Sequence, residues 1–116
     1  MQSIIQANDD IGAVIAEYDG MARGAIAALK EAGKRDGVIV GGFGGAPDAV
    51  DAVKSDDLAY TVLQPVAVFC REAVIQADHD IKTGSALVAN EKQLFDCLLI
   101  TRENVDSYTA AFTLSM

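Results

Sequence analysis

The chain has 116 residues, of which 51% are apolar, and its mean hydropathy is +0.23. This length fits one domain with a sizeable core, and this composition excludes a disordered chain. The net charge of −8 and the pI near 4.3 argue against nucleic acid and anionic membranes as partners, because Lys and Arg are needed to neutralise phosphate groups.

The first half of the chain predicts a helix end, a strand, a helix and a second strand. Residues 1–7 end a helix, and residues 12–17 form a strand whose near-continuous apolar content predicts burial on both faces. Asp19 is expected to cap the next helix, and Gly33 to end it in the left-handed conformation. Residues 37–42 form the second strand. The apolar stripe of the helix comprises Met21, Ala22, Ala25, Ile26, Ala28, Leu29 and Ala32.

The second half continues the alternation. Pro47 fits the first position of a short helix that extends to about Lys54, and residues 59–64 form a third strand. Residues 65–83 form a long helix that Gly84 ends, residues 85–96 a polar connection, residues 98–100 a last strand, and residues 102–110 a helix or turn. The apolar stripe of the long helix comprises Val66, Phe69, Cys70, Ala73, Val74, Ala77 and Ile81.

Sequence features that would mark membrane insertion, secretion or metal binding are not found. No apolar run reaches the ~18 residues of a membrane span, and the first residues lack the basic and apolar regions of a signal peptide. Cys70 and Cys97 are expected to be buried free thiols, since one falls in the apolar stripe and the other opens an apolar strand. Neither has metal-ligand neighbours at a useful spacing, so no metal and no cofactor is expected.

The alternation of strands and helices predicts an α/β fold. We expect a three-layer parallel sheet with crossover helices, of the Rossmann-like or flavodoxin-like kind. Ligands of such sheets bind beyond the carboxyl ends of the strands. Here those ends carry Tyr18 and Asp19, a turn that begins with Phe43 and Gly44, and Gln64.

Enzymatic function is disfavoured by the motifs present. The run Gly41-Gly-Phe-Gly-Gly matches neither the dinucleotide fingerprint, which would place Pro47 at its third glycine, nor a phosphate-binding loop. A surface position is expected for His79, the single histidine, and no nucleophile elbow occurs. A phospho-acceptor receiver domain would need an Asp where the third strand ends in Gln64.

With enzymatic function disfavoured, the remaining interpretation is ligand binding without catalysis. Each candidate ligand residue also has a purely structural interpretation. The amide of Gln64 either reads a pair of ligand hydroxyls or bonds loop backbone. Asp19 is either a helix cap or a ligand group, and Tyr18 either stacks on a sugar face or covers the edge of the core.

Four segments of the chain have a familiar pattern. In chain order they are Ile15-Ala-Glu-Tyr-Asp-Gly-Met-Ala-Arg-Gly-Ala, Val40-Gly-Gly-Phe-Gly-Gly-Ala-Pro-Asp, Tyr60-Thr-Val-Leu-Gln-Pro and Leu99-Ile-Thr-Arg-Glu-Asn-Val-Asp. Together they resemble the C-terminal part of ribose-type sugar-binding proteins of ABC transporters. The resemblance implies a type I periplasmic binding protein, in which two lobes clamp a sugar. Residues 1–116 would then be the C-terminal lobe, without the N-terminal lobe and the secretion signal.

The resemblance also implies three ligand positions. They fall on Tyr18, Gly44 and Gln64, where the ribose pattern has Asn, Asp and Gln. The change at Gly44 removes a carboxylate that would accept charge-assisted bonds from two sugar hydroxyls. Phe43 and Tyr18 would favour a less polar or differently shaped ligand.

The function that follows is sugar or polyol binding for an ABC importer, with no enzymatic activity. The full-length protein is expected to be periplasmic or extracytoplasmic and to deliver its ligand to a transporter permease. The alternative is the effector-binding core of a lactose-repressor-type regulator, which shares the fold. The apolar stripe of the helix after Gln64 would otherwise face water, so this helix is expected either to fold back on its own sheet or to pack against a second copy of the chain, most simply as a two-fold homodimer.

Overall fold

A computed structural model describes residues 1–88 and 93–107, and these fall into two compact units. The first unit contains residues 1–63 and 98–107, and the second contains residues 64–88 and 93–97. The elements in chain order are α1 (Gln2–Ala7), β1 (Ala13–Ile15), α2 (Asp19–Glu31), β2 (Ile39–Gly41), α3 (Pro47–Lys54), β3 (Tyr60–Leu63), α4 (Val66–Thr83) and β4 (Leu98–Thr101). The predicted order of helices and strands is therefore confirmed.

The first unit is built on a four-stranded sheet in the order β1-β2-β3-β4. The strands β1, β2 and β3 are parallel, and β4 runs antiparallel to β3. The α/β fold is confirmed, while the sheet is mixed rather than wholly parallel. Parallel neighbours need a crossover connection. The β1–β2 and β2–β3 connections contain α2 and α3, whereas β3 and β4 are joined through the second unit.

The helices α2 and α3 contact the sheet and each other, so they cover the same face. That face carries Val40, Thr61 and Ile100, all 0% exposed. Successive residues of a strand point to opposite faces, and the opposite face leaves Ile15 80% and Ile39 60% exposed. The prediction that the first strand is buried on both faces is therefore wrong. The second helical layer of a three-layer fold is not formed by the described residues of this unit.

The helix α2 follows its predicted pattern except at the two ends of the stripe. The stripe residues Ala22, Ile26 and Leu29 are buried against the sheet, but Met21 is 62% exposed and Ala32, the C-cap residue, is exposed as well. Gly33 has a φ of 65°, and the amide of Lys34 donates to the carbonyl of Leu29 at 2.9 Å, which closes the helix end as expected. At the other end of the helix, the amides of Met21 and Ala22 donate to the carbonyl of Tyr18, so the first turn of α2 is bonded to Tyr18 at the sheet edge.

The second unit is organised around α4, which ends at Gly84 with a φ of 69°, as predicted. The rings of Phe69 and Phe95 pack with their centroids 5.2 Å apart, yet no residue of α4 is buried. Cys70 and Cys97 are exposed, so the prediction of buried thiols is wrong. The predicted apolar stripe of α4 is therefore not buried in a core. Cys97 precedes β4, which begins at Leu98.

Two predicted segments are only partly described. Residues 85–88 and 93–96 belong to the predicted polar connection, and residues 89–92 lie outside the described residues. Residues 102–107 form turns, and residues 108–110 of the predicted terminal element lie outside the described part. Among the residues that the structure describes, no helix combines the length and apolar character needed to cross a bilayer.

Candidate functional site

Four of the five candidate residues meet where β1 and β2 end. The parallel pairing of these strands continues beyond them, since the amide of Ala16 donates to the carbonyl of Gly41 at 3.0 Å. Beyond β2, Gly44 forms a parallel bridge with Leu63, and its amide donates to the carbonyl of Val62 at 2.8 Å. The turn after β2 is thereby fastened to the end of β3, on the carboxyl edge of the sheet.

Tyr18 presents an aromatic ring at this edge. It is the N-cap residue of α2, its side chain makes no capping bond, and the residue is 59% exposed. The ring lies against Gly20, where a Cβ would be 2.8 Å from Cε1 of Tyr18. A Cβ on Gly44 would be 3.9 Å from Cδ2 of the same ring. Tyr18 and Gly44 are therefore neighbours, and their apolar atoms form one wall.

Asp19 has a different role from the predicted helix cap. The helix begins at Asp19 itself, and the residue is 1% exposed. Its Oδ1 accepts a hydrogen bond from the Thr61 hydroxyl at 2.7 Å, and its Oδ2 accepts one from the amide of Ala46 at 2.8 Å. Its own amide donates to the carbonyl of Phe43 at 2.9 Å. Asp19 thus bonds to the turn after β2 rather than to the end of its own helix.

Four amides of the glycine-rich turn donate to acceptors within the protein. The amides of Gly42 and Gly44 donate to strand β3, that of Gly45 donates to the Thr61 hydroxyl at 3.1 Å, and that of Ala46 donates to Asp19. Pro47 carries no amide hydrogen. A phosphate-binding loop must aim free amides at its ligand, and these four amides are not free.

The two remaining candidates, Phe43 and Gln64, lie in the segments that follow β2 and β3. Phe43 is half-buried and starts the turn. Gln64 is the residue after Leu63, the last residue of β3, and belongs to the second unit. Within the described ranges 1–88 and 93–107, no group of three His, Cys, Asp or Glu side chains could hold a metal ion.

Thr61 is a neighbour of the candidate site that sequence reasoning missed. It is completely buried and bonds both Asp19 and the amide of Gly45. The available signal is a hydroxyl in the middle of an otherwise apolar strand, which needs a partner when buried. That partner lies 42 residues away in the sequence, so the pairing could not be read from local pattern.

A separate groove of about 880 Å³ lies between α1, β1 and α2. Its lining includes Ile4, Ile15, Met21 and Ala25, and it includes none of the five candidate ligand residues. This groove is therefore distinct from the turn at the carboxyl edge of the sheet.

Sequence comparison connects the chain with known binding proteins. Residues 1–82 match the periplasmic binding protein domain. The chain is 52% identical over 104 residues to a D-apiose import binding protein of Paraburkholderia graminis, covering 90% of this chain and 33% of that protein. It is 39% identical over 101 residues to a xylitol-binding protein of Mycolicibacterium smegmatis, covering 83% of this chain and 26% of that protein.

Structural comparison gives the same family. The myo-inositol-binding protein of Caulobacter, solved with myo-inositol bound, superposes with a TM-score of 0.80 at 31% identity, over 90% of this chain and 36% of that one. The chain spans about a third of the length of the relatives it matches. These relatives are binding proteins rather than enzymes, and they favour the solute-binding interpretation over the regulator. The chain belongs to the periplasmic binding protein family, and it corresponds to part of a type I, ribose-type member.

Proposed function

We propose that this chain is the C-terminal lobe of the sugar- or polyol-binding component of an ABC importer. The observation that carries the proposal is the position of Tyr18 beside Gly44 on the carboxyl edge of the sheet. Ligands of open α/β sheets bind at that edge. The proposed ligand residues are Tyr18, Phe43 and Gly44, with Gln64 directly after β3 and Asp19 behind the turn.

The proposed ligand is a small neutral polyhydroxyl compound. Relatives named for D-apiose and xylitol, with 52% and 39% identity, support this class. The local chemistry agrees, because the Gln64 amide supplies both a donor NH2 group and an acceptor carbonyl oxygen for hydroxyl groups. Gly44 offers only backbone where a carboxylate would accept from two hydroxyls, and the exposed Tyr18 ring offers an apolar surface to C–H bonds.

Three further properties belong to this proposal. The full-length protein would act in the periplasm and deliver its ligand to a transporter permease. The chain would bind its ligand without catalysing a reaction. The exposed stripe of α4, which includes Val74 at 68% and Ile81 at 84% exposure, would pair two copies of the chain in a two-fold dimer.

The test is an NMR titration of the ¹⁵N-labelled chain with D-apiose, xylitol and, as a control, sucrose. We expect D-apiose or xylitol to shift the amide signals of Tyr18, Phe43, Gly44 and Gln64, with sucrose leaving them unchanged. Half-saturation is expected in the millimolar range, because the opposing lobe of the clamp would not contribute. A micromolar Kd for any monosaccharide would contradict the half-clamp interpretation. Shifts confined to the groove between α1, β1 and α2 would contradict the site.

A pair of matched variants tests the role of the Gln64 amide. Gln64→Ala removes one hydrogen-bonding side chain and should weaken sugar binding by about fivefold to tenfold. Gln6→Ala removes the same group from the exposed surface of α1 and should leave binding unchanged. Equal effects of the two substitutions on sugar affinity would show that Gln64 is not a ligand residue.

A further inference from the structure

Two buried polar side chains tie the candidate ligand turn to the sheet. Asp19 is 1% exposed and Thr61 is 0% exposed. The Thr61 hydroxyl donates to Oδ1 of Asp19 at 2.7 Å and accepts from the amide of Gly45 at 3.1 Å, while Oδ2 of Asp19 accepts from the amide of Ala46 at 2.8 Å. Every polar atom of this pair of side chains is therefore bonded within the protein, and two consecutive amides of the turn depend on it.

The same carboxylate also determines which residues the turn can contain. A Cβ on Gly42 would lie 2.4 Å from Oδ1 of Asp19, and a Cβ on Gly44 would lie 3.3 Å from Oδ2. Gly44 also has a φ of 130°, which side chains rarely permit. The carboxylate lies directly behind the turn, so it leaves no room for a Cβ at Gly42 and little room for one at Gly44.

We propose that Asp19 and Thr61 are positioning residues for ligand binding. They hold residues 43–46 in one backbone conformation, so that Gly44 and the Tyr18 ring form a fixed apolar wall for the C–H face of the ligand. This inference rests on the proposed function. A fully satisfied buried polar network is rigid. Rigidity before binding lowers the entropic cost of ordering the site, which raises affinity without direct contact.

The test compares Thr61→Val with Thr61→Ser in the 116-residue chain. Valine keeps the shape of threonine but loses both hydrogen bonds, and serine keeps the hydroxyl. The first readout is amide hydrogen exchange. In Thr61→Val, exchange of the Gly45 amide should become about tenfold faster relative to exchange at Leu29 and Val40, because that amide loses its hydrogen bond to the Thr61 hydroxyl. Leu29 and Val40 report the change in overall stability, and Thr61→Ser should restore the wild-type pattern.

The second readout is the xylitol titration of the same variants. The dissociation constant for xylitol, read from the shifts at Gly44, should rise about tenfold in Thr61→Val and return to the wild-type value in Thr61→Ser. If xylitol causes no shifts in the wild-type chain, the proposed ligand and site are contradicted. The exchange readout would still show whether Asp19 and Thr61 fix the conformation of the turn.

Two exchange results would overturn the proposal. One is unchanged exchange at Gly45 in Thr61→Val. The other is an equal increase at Gly45 and Leu29, which would show loss of overall stability rather than local release. If Thr61→Val does not fold, Asp19→Ala provides the same test at Ala46, because the Ala46 amide then loses its side-chain acceptor.

Discussion

The hydroxyl of Thr61 donates a 2.7 Å hydrogen bond to the carboxylate of Asp19, although 42 residues separate them in the sequence. This bond links the start of α2 to the middle of β3, and the amide of Ala46 completes the connection to the turn after β2. The candidate ligand edge is therefore built on a buried network that joins three segments of the chain.

Asp19→Ala should strongly lower the free energy of unfolding. The substitution leaves the buried Thr61 hydroxyl and the amide of Ala46 without their acceptor, and each loss is costly in the interior. We expect a loss of about 3 kcal/mol in urea denaturation. Asp9→Ala is the matched control, because its ion pair with Lys34 involves a fully exposed carboxylate. The control should leave the denaturation midpoint unchanged, and equal midpoints for both variants would contradict the role of the network.

Gly45→Ala should be among the most destabilising alanine substitutions in the chain. Gly45 has a φ of 74°, and a Cβ there would lie 2.7 Å from the backbone Cα of Leu63. Strain and backbone overlap together should cost about 3 kcal/mol. Gly24→Ala is the control, because that exposed helical position has nothing within 4 Å of a new Cβ.

The control should stabilise the chain by about 0.5–1 kcal/mol, since alanine favours helix over glycine. Thermal unfolding followed by circular dichroism measures both variants. A Gly45→Ala protein as stable as the wild type would show that the turn moves away from β3 at little cost.

Substitution of two isoleucines should distinguish the two faces of the sheet. Ile100 is 0% exposed beneath the helices, so Ile100→Ala should cost about 3 kcal/mol. Ile15 is 80% exposed on the other face, so Ile15→Ala should change stability by less than about 0.5 kcal/mol. Urea denaturation of both variants provides the measurement. A large loss in Ile15→Ala would mean that this face is covered in solution.

Substitutions on α4 test the proposed dimer. Phe69→Asp and Val74→Asp place charges on the apolar stripe and should shift the chain from dimer to monomer in sedimentation velocity. Arg71→Asp is the control, because Arg71 is exposed on the same helix outside that stripe. The control should leave the sedimentation coefficient unchanged. A wild-type chain that is monomeric at every concentration, with the two stripe variants equally stable, would contradict the dimer.

The sequence alone determined the helices, the strands and their order. Periodicity located α2 and α4, while Pro47, Gly33 and Gly84 marked a helix start and two helix ends, because these signals act within one or two turns of backbone. Strand ends were equally local, so Tyr18, Gly44 and Gln64 could be named as candidates before their surroundings were known.

Only the tertiary structure decided how these elements bury their surfaces and polar groups. The exposure of Ile15, the antiparallel direction of β4 and the exposure of Cys70 depend on which elements pack together. The position of Asp19 behind the turn likewise depends on Thr61, whose hydroxyl reaches it only after β1, β2 and β3 align. Contacts between residues distant in sequence leave no periodic pattern, and for that reason packing, rather than local propensity, determined the environment of the site.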